Sequence, residues 1–241
     1  MKFWNFKNIV ATETALESVE LKIEGNIVDD GDAWIYEWYG ETCTSPNAFK
    51  DELSQLGNKD LTVWVDSHGG SVFAGAGIYN ALKEYKGKIT MKVEKAMSIA
   101  SVIAMAGDEL LMSPVGLMMI HNPITNTAGY ASDLRKTADV LDAVKEIIVN
   151  AYQLKTKLSR NKISQLMDNE TYMSAKSAIK DGFADGMLYG DLPETEISNF
   201  VFSRSTVLNS TDEAVRRMIE MNEKPKSTEV EKLKLSLQLA I

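Results

Sequence analysis

Cysteine and histidine are scarce in this sequence. Cys43 is the only cysteine, and His68 and His121 are the only histidines, among 241 residues. No intramolecular disulfide can form, and a tetrahedral zinc cluster has too few ligands to draw on. Phosphate-binding spacings are missing as well. There is no glycine-rich run ending in Gly-Lys-Ser/Thr and no G-x-G-x-x-G, so neither common nucleotide loop is present. No stretch of about 18 uninterrupted apolar residues occurs, and the opening Met-Lys-Phe-Trp-Asn-Phe-Lys has no apolar core of signal-peptide length. The expectation is a cytoplasmic protein that makes no use of a membrane. Positive charge is outweighed, with 26 Lys and Arg against 34 Asp and Glu, and the net charge of −8 argues against nucleic acid or an anionic membrane as primary partner.

An apolar fraction of 44% and a charged fraction of 25% are those of a globular protein. The length suits one domain of ordinary size with additions rather than two domains. Residues 1–18 read as a peripheral extension and 19–190 as the domain. Beyond it, 191–241 form a charged, partly helical tail in which Lys224-Pro225-Lys226-Ser227 separates two amphipathic stretches.

Within the domain, Val19, Leu21 and Ile23 alternate with charged residues as a half-buried strand does, and Trp34, Tyr36 and Trp38 suggest a second one. Ser45-Pro46 starts a helix with Phe49, Leu53 and Leu56 on one face, which Gly57 stops. A short strand over 61–65 enters Asp66-Ser67-His68-Gly69-Gly70, and a helix follows with Val72, Ala76, Tyr79 and Leu82 towards the core. A strand over 89–93 leads to a helix at Ser98, and 116–120 is extended. A long helix from Ser132 to about Leu158 carries Leu134, Ala138, Leu141, Val144, Ile148 and Ala151 on one stripe; core packing and packing between subunits fit it equally. A short helix over 162–167, another from Ala175 to Gly182 and a strand-like 183–188 complete the domain. Alternating strands and helices predict an α/β fold with a parallel sheet, whose ligands sit at the carboxyl ends of strands. Gly69-Gly70, Ser98 and His121 all stand at such ends.

Residues 95–123 carry the chemistry. Ser98 lies among small residues, Ala96-Met97-Ser98-Ile99-Ala100. A serine projecting into a cleft from a strand-to-helix turn needs small neighbours, and Ala96 and Ala100 stand where G-x-S-x-G has glycines. The turn leaves backbone N–H groups unpaired at the helix start, and Ile99 would supply one to an oxyanion. A serine mechanism with a histidine base must use His68 or His121. The glycine pair reads as a backbone that passes close to substrate, with Gly69 as the second oxyanion donor. Cys43, in a stretch that reads as a loop into a helix, is the weaker choice of nucleophile.

Taken together, Asp-Ser-His-Gly-Gly, Ala-Met-Ser-Ile-Ala-Ser with Ala-Gly following, Met-Met-Ile-His-Asn-Pro, a long helix, Glu-Thr-Tyr-Met-Ser-Ala and Gly-Phe-Ala-Asp resemble the Clp peptidase family, ClpP. The order is closest to its relatives that act as bacteriophage head maturation proteases. The resemblance spans about residues 19–190 and implies a ClpP/crotonase-like fold of repeated ββα units with a handle helix. It makes Ser98 the nucleophile, His121 the base and Glu170 the third member, where the family usually has aspartate; Asp168 is the rival acid. Ser101 matches a packing position, and His68 stands where many members have proline. The resemblance further implies a serine endopeptidase without metal or organic cofactor and without ATP chemistry of its own. Its partners would be further copies in stacked rings and a protein or peptide substrate, with capsid or scaffold protein expected for the phage branch. A cellular-type peptidase working with an unfoldase is the alternative, as is a non-catalytic assembly subunit. A crotonase-like enzyme acting on CoA thioesters would share the oxyanion donors but would have no need of Ser98 or His121.

Overall fold

The computed structural model describes residues 7–8 and 19–190. The rest of the expected N-terminal extension and the whole expected tail lie outside the described residues. In chain order the elements are β1 (Lys7–Asn8), β2 (Val19–Ile27), α1 (Ala33–Tyr39), β3 (Cys43–Thr44), α2 (Pro46–Gln55), β4 (Leu61–Gly70), α3 (Val72–Glu84) and β5 (Ile89–Met97). There follow α4 (Ile99–Ala104), β6 (Glu109–Ile120), α5 (Ala131–Thr156), α6 (Arg160–Asp168), β7 (Thr171–Ser174), α7 (Ala175–Lys180) and β8 (Gly186–Met187).

One sheet runs β1-β2-β4-β5-β6-β7, with β3 added to β2 and β8 to β6. Its centre, β2 to β6, is parallel as the alternation predicts, while β1 and β7 are antiparallel additions. Alternate residues of β4 (Leu61, Val63, Val65, Ser67) and β5 (Ile89, Met91, Val93) are buried. The three central pairings each shift register part-way, at Gly25/Asn26, Val65/Asp66 and Val93/Lys95. On β6 the shift takes in Ser113-Pro114-Val115-Gly116, a place where proline's missing N–H disturbs no ladder. The strand halves beyond these shifts carry Gly69-Gly70, Ser98 and His121.

Trp34, Tyr36 and Trp38 form no strand. They belong to α1, which follows a turn closed by Asp32 N–H on the Asp29 carbonyl and ends at Gly40, φ +72°, whose N–H donates to Glu37 O. No residue of α1 is buried, so its alternation never had a core face to reflect. The buried face of α3 also differs from the expected stripe: Ala74, Gly75, Ile78 and Leu82 face inward, while Val72, Ala76 and Tyr79 sit at the margin. Gly75 sets this rotation, since a Cβ there would lie 2.2 Å from Ile99 Cγ1. The α2 start is as expected, with Ser45 before Pro46 at the first turn and Phe49 and Leu53 buried. Cys43 lies in a short strand rather than a loop, and 183–188 holds only the two-residue β8.

In α5, Val144, Ile148, Val149, Ala151 and Tyr152 are buried. The first half of the expected stripe faces outward: Leu134 is 44% exposed and Val140, nearby, is 52% exposed.

Two glycines with positive φ separate backbone conformation from space. Gly40 (φ +72°) has nothing within 4 Å of an added Cβ, whereas at Gly25 (φ +70°) it would lie 2.0 Å from Thr42 O. Gly40→Ala is expected to cost about 1 kcal/mol and Gly25→Ala at least about 3 kcal/mol, read from urea denaturation.

Candidate active site

Strand β5 stops at Met97, and the chain turns sharply at Ser98 into α4. Ser98 has φ 53° and ψ −129°, a backbone conformation rarely held by a residue with a Cβ. Its N–H donates to Met119 O at 2.9 Å, which fixes the turn to the adjacent strand β6. Met97 pairs with Met119 in that ladder, so His121 emerges beside the turn. The Ser98 hydroxyl and His121 Nε2 are 2.8 Å apart. With the imidazole neutral and its proton on Nδ1, Ser98 donates and Nε2 accepts.

Small residues make room for this turn. Ala96 and Ala100 are fully buried. Gly69, φ +97°, lies so near that a Cβ would meet both Met97 O and Ser98 Cβ at 2.8 Å. The close approach that Gly69 permits is to the serine turn itself. The Gly69 N–H donates to Ser67 Oγ at 3.0 Å, and the fully buried Ser67 in turn donates to Gly25 O at 2.5 Å. Gly69 N–H is therefore already engaged, and Gly70 is the member of the pair that lines the cleft. Ile99 lines it too. As the first residue of α4 its N–H has no partner within the helix.

Antiparallel pairing of β6 with β7 ends with Ile120 opposite Thr171, so His121 and Glu170 each lie one residue beyond the last pair, at the same end of the ladder. Glu170 has φ 47° where α6 gives way to β7, and its Oε1 accepts from Tyr172 OH at 3.0 Å. Burial holds the His121 imidazole below its usual range, and the Glu170 charge opposes that shift. Asp168 is engaged elsewhere: its Oδ1 accepts from Lys145 Nζ at 2.6 Å and Asn122 Nδ2 at 2.9 Å, and these bonds hold its carboxyl below the usual range. Of the two acids, only Glu170 is coupled to the imidazole.

Other nucleophiles and bases fall outside this arrangement. Ser101 is fully buried, its Oγ 2.6 Å from Ser98 O and 2.8 Å from Tyr152 OH. His68 is exposed on β4, with Lys95 and Asp66 as the charges that act on it. Burial, with Glu37 adding, pushes the Cys43 thiol up and leaves it a poor nucleophile. Among the described residues no three His, Cys, Asp or Glu side chains gather as metal ligands would, and no helix is long and apolar enough to cross a membrane.

The cleft at Ser98 is a hollow of about 50 Å³ walled by Val72, Val102, Ile124 and Ile148 with Tyr152. A larger groove of about 580 Å³ between α2 and α3, edged by Lys50, Asn80 and Lys86, contains none of these residues. The sequence singles out the Gly69-Gly70 pair but not Ser67, Tyr152 or Tyr172. Tyr152 was within reach, standing four residues after Ile148 on the same helical stripe; Ser67 and Tyr172 carry no local pattern that marks them.

The electrostatics at His121 can be read by imidazole NMR. His121 is expected to titrate below the ~6.5 of a free imidazole, gaining its proton only as pH falls through that lowered value. Glu170→Gln removes the opposing charge and should move the titration to still lower pH, while Asp168→Asn leaves it in place.

Comparison with known proteins finds relatives of this chain. The family model for Clp protease matches residues 51–190. The ATP-dependent Clp protease proteolytic subunit of Deinococcus radiodurans is 30% identical over 138 residues, covering 56% of this chain and 68% of that protein. Its counterpart from Chlorella vulgaris is 29% identical over 131 residues, 53% of this chain and 65% of the relative. The Bacteroides fragilis counterpart is 32% identical over 133 residues, 54% and 64% respectively. The matched stretch thus spans about two thirds of each relative. With more than half of its length matched by the family model, the chain belongs to the Clp protease family of serine peptidases.

Proposed function

We propose that this chain hydrolyses peptide bonds through an acyl-enzyme on Ser98. The observation that carries the reading is the 2.8 Å contact between Ser98 Oγ and His121 Nε2, made by a serine held at positive φ. In the first step His121 takes the hydroxyl proton as Ser98 attacks the scissile carbonyl, and Glu170 stabilises the imidazolium that forms. The Ile99 N–H and the Gly70 N–H receive the oxyanion, Gly70 replacing Gly69 because the latter already donates to Ser67. His121 returns the proton to the leaving amine, and water repeats the sequence to release the acid. Burial favours this chemistry by keeping His121 neutral, and so able to accept a proton, at neutral pH. The apolar walls and small volume of the cleft suit a small or medium apolar side chain on the acyl side.

The substrate is protein or peptide, and the working form is a homo-oligomer of stacked rings. The outward first half of α5, with Leu134 and Val140 exposed, together with the loop before it, supports its use as the handle between rings. The relatives named above are proteolytic subunits of ATP-dependent proteases, whereas this chain has no nucleotide loop. A separate ATP-driven partner is the corresponding source of unfolded substrate. These relatives lend no support to a role in capsid maturation, so the cellular-type subunit is preferred to it.

Ser98→Ala and His121→Ala should each lower kcat/KM for peptide hydrolysis by about 10⁴-fold or more, and both should abolish fluorophosphonate labelling mapped to Ser98. Hydrolysis that survives Ser98→Ala would overturn the mechanism. Leu134→Asp combined with Val140→Asp is expected to halve the particle mass seen by light scattering.

A further inference from the structure

The hydroxyl of Tyr152 is one polar group that the mechanism leaves unused. Tyr152 is 1% exposed, packs edge-on against Phe183, and belongs to α5, far from Ser98 in sequence. Among the described residues the hydrogen-bond partner of its hydroxyl is Ser101 Oγ, at 2.8 Å. Ser101 has a single hydroxyl hydrogen. At 2.6 Å from Ser98 O that hydrogen must point to the carbonyl, because a carbonyl can only accept. Tyr152 is then the donor to Ser101, and burial, which raises the phenol pKa well above its usual range, keeps it protonated. The proton order is fixed along the whole chain: Tyr152 O–H to Ser101 Oγ, then Ser101 O–H to the Ser98 carbonyl.

What this chain holds is one peptide unit. The Ser98 carbonyl receives two hydrogen bonds, from Ser101 Oγ and from Ser101 N–H at 3.0 Å. In a trans peptide the C=O and N–H point in opposite directions, so the Ser98 carbonyl and the Ile99 N–H are aimed together. Turning this unit over would withdraw the N–H from the cleft and put a carbonyl oxygen in its place. The strained Ser98 backbone supplies a motive for such rotation.

We propose that Tyr152 is a positioning residue which, through Ser101, fixes the Ser98–Ile99 peptide so that the Ile99 N–H faces the oxyanion. The inference rests on the acyl-enzyme reading and adds a specific link between α5 and the oxyanion site. Tyr152 touches no reacting atom in this scheme. Loss of its hydroxyl, with the ring still walling the cleft, therefore weakens stabilisation of the tetrahedral intermediate while leaving the binding of unreacted peptide intact.

The test uses the full-length protein as Tyr152→Phe, Ser101→Ala, the double variant and Ser98→Ala. Each is assayed for peptide hydrolysis, for binding of a non-cleavable peptide, and for inhibition by a peptide boronate whose tetrahedral adduct occupies the oxyanion site. Tyr152→Phe is expected to lower kcat about tenfold, below the 10²–10³ for outright loss of a donor, with KM and non-cleavable peptide affinity unchanged. Boronate affinity should fall by a similar factor, and the double variant should be no worse than Ser101→Ala alone. Wild-type kcat and boronate affinity in Tyr152→Phe would overturn the proposal, and so would a loss shared equally by the non-cleavable peptide. If Ser101→Ala alone folds, unchanged kcat there overturns it as well. Should Ser98→Ala retain hydrolysis, the acyl-enzyme reading itself falls; an inactive Ser98→Ala beside a fully active Tyr152→Phe removes only the positioning role.

Discussion

A residue with a side chain held at φ 53° and ψ −129° costs about 1–3 kcal/mol, and the organisation of the site follows from keeping Ser98 there. The conformation is restrained on each side. Behind it, the Ser98 N–H is tied to Met119 O on β6; ahead of it, Ser101 grips the Ser98 carbonyl with both its N–H and its hydroxyl. Alongside, Gly69 leaves the space that any Cβ would take, and Gly75 leaves room for Ile99. Several otherwise unrelated choices, two glycines on different elements and a buried serine, answer a single geometric demand. Extended β5 could not otherwise be joined to α4 with a hydroxyl projecting at the joint.

The imidazole poses the complementary problem. In the proposed mechanism His121 must be dry enough to remain neutral and yet close enough to an anion to be steadied when it takes a proton. Burial supplies the first condition and Glu170 the second, acting on its charge state in opposite senses. Glu170 stands one residue beyond the last β6–β7 pair, at the end of the ladder that His121 also leaves, and φ 47° turns the chain at that point. Tyr172 OH then holds one carboxylate oxygen. Asp168, two residues earlier, belongs to the end of α6 and is tied to Lys145 and Asn122.

Those features with a local cause were legible in the sequence. The parallel centre of the sheet follows from alternating strand and helix, the α2 start from Ser45-Pro46, and the Ser98 turn from its small neighbours. The scarcity of histidine narrowed the partner of Ser98 to His68 or His121, and the family resemblance pointed to His121. What escaped depends on long-range register. Trp34, Tyr36 and Trp38 looked like a strand because alternation implies a buried face, but α1 has none. The α3 stripe was rotated by the contact of Gly75 with Ile99, and the Gly69 N–H was claimed by Ser67 from within the same strand. Glu170 was preferred to Asp168 through the family resemblance alone, because two residues of spacing do not disclose which carboxylate lies near His121; the Glu170 charge is the one that acts on the imidazole.

The exposed aromatic helix α1 also bears on how the described tryptophans fluoresce. Trp34 and Trp38 are 62% and 75% exposed, and Trp64 is only half-buried, with the Lys92 ammonium 4.9 Å from its ring centre. Among the described residues no tryptophan lies in the core. The emission of these three indoles therefore comes from the surface and is a poor reporter of events at Ser98 or of loosening of the sheet interior. The same placement makes α1 a built-in reporter of its own surroundings: any surface that covers it will move two indoles out of water at once.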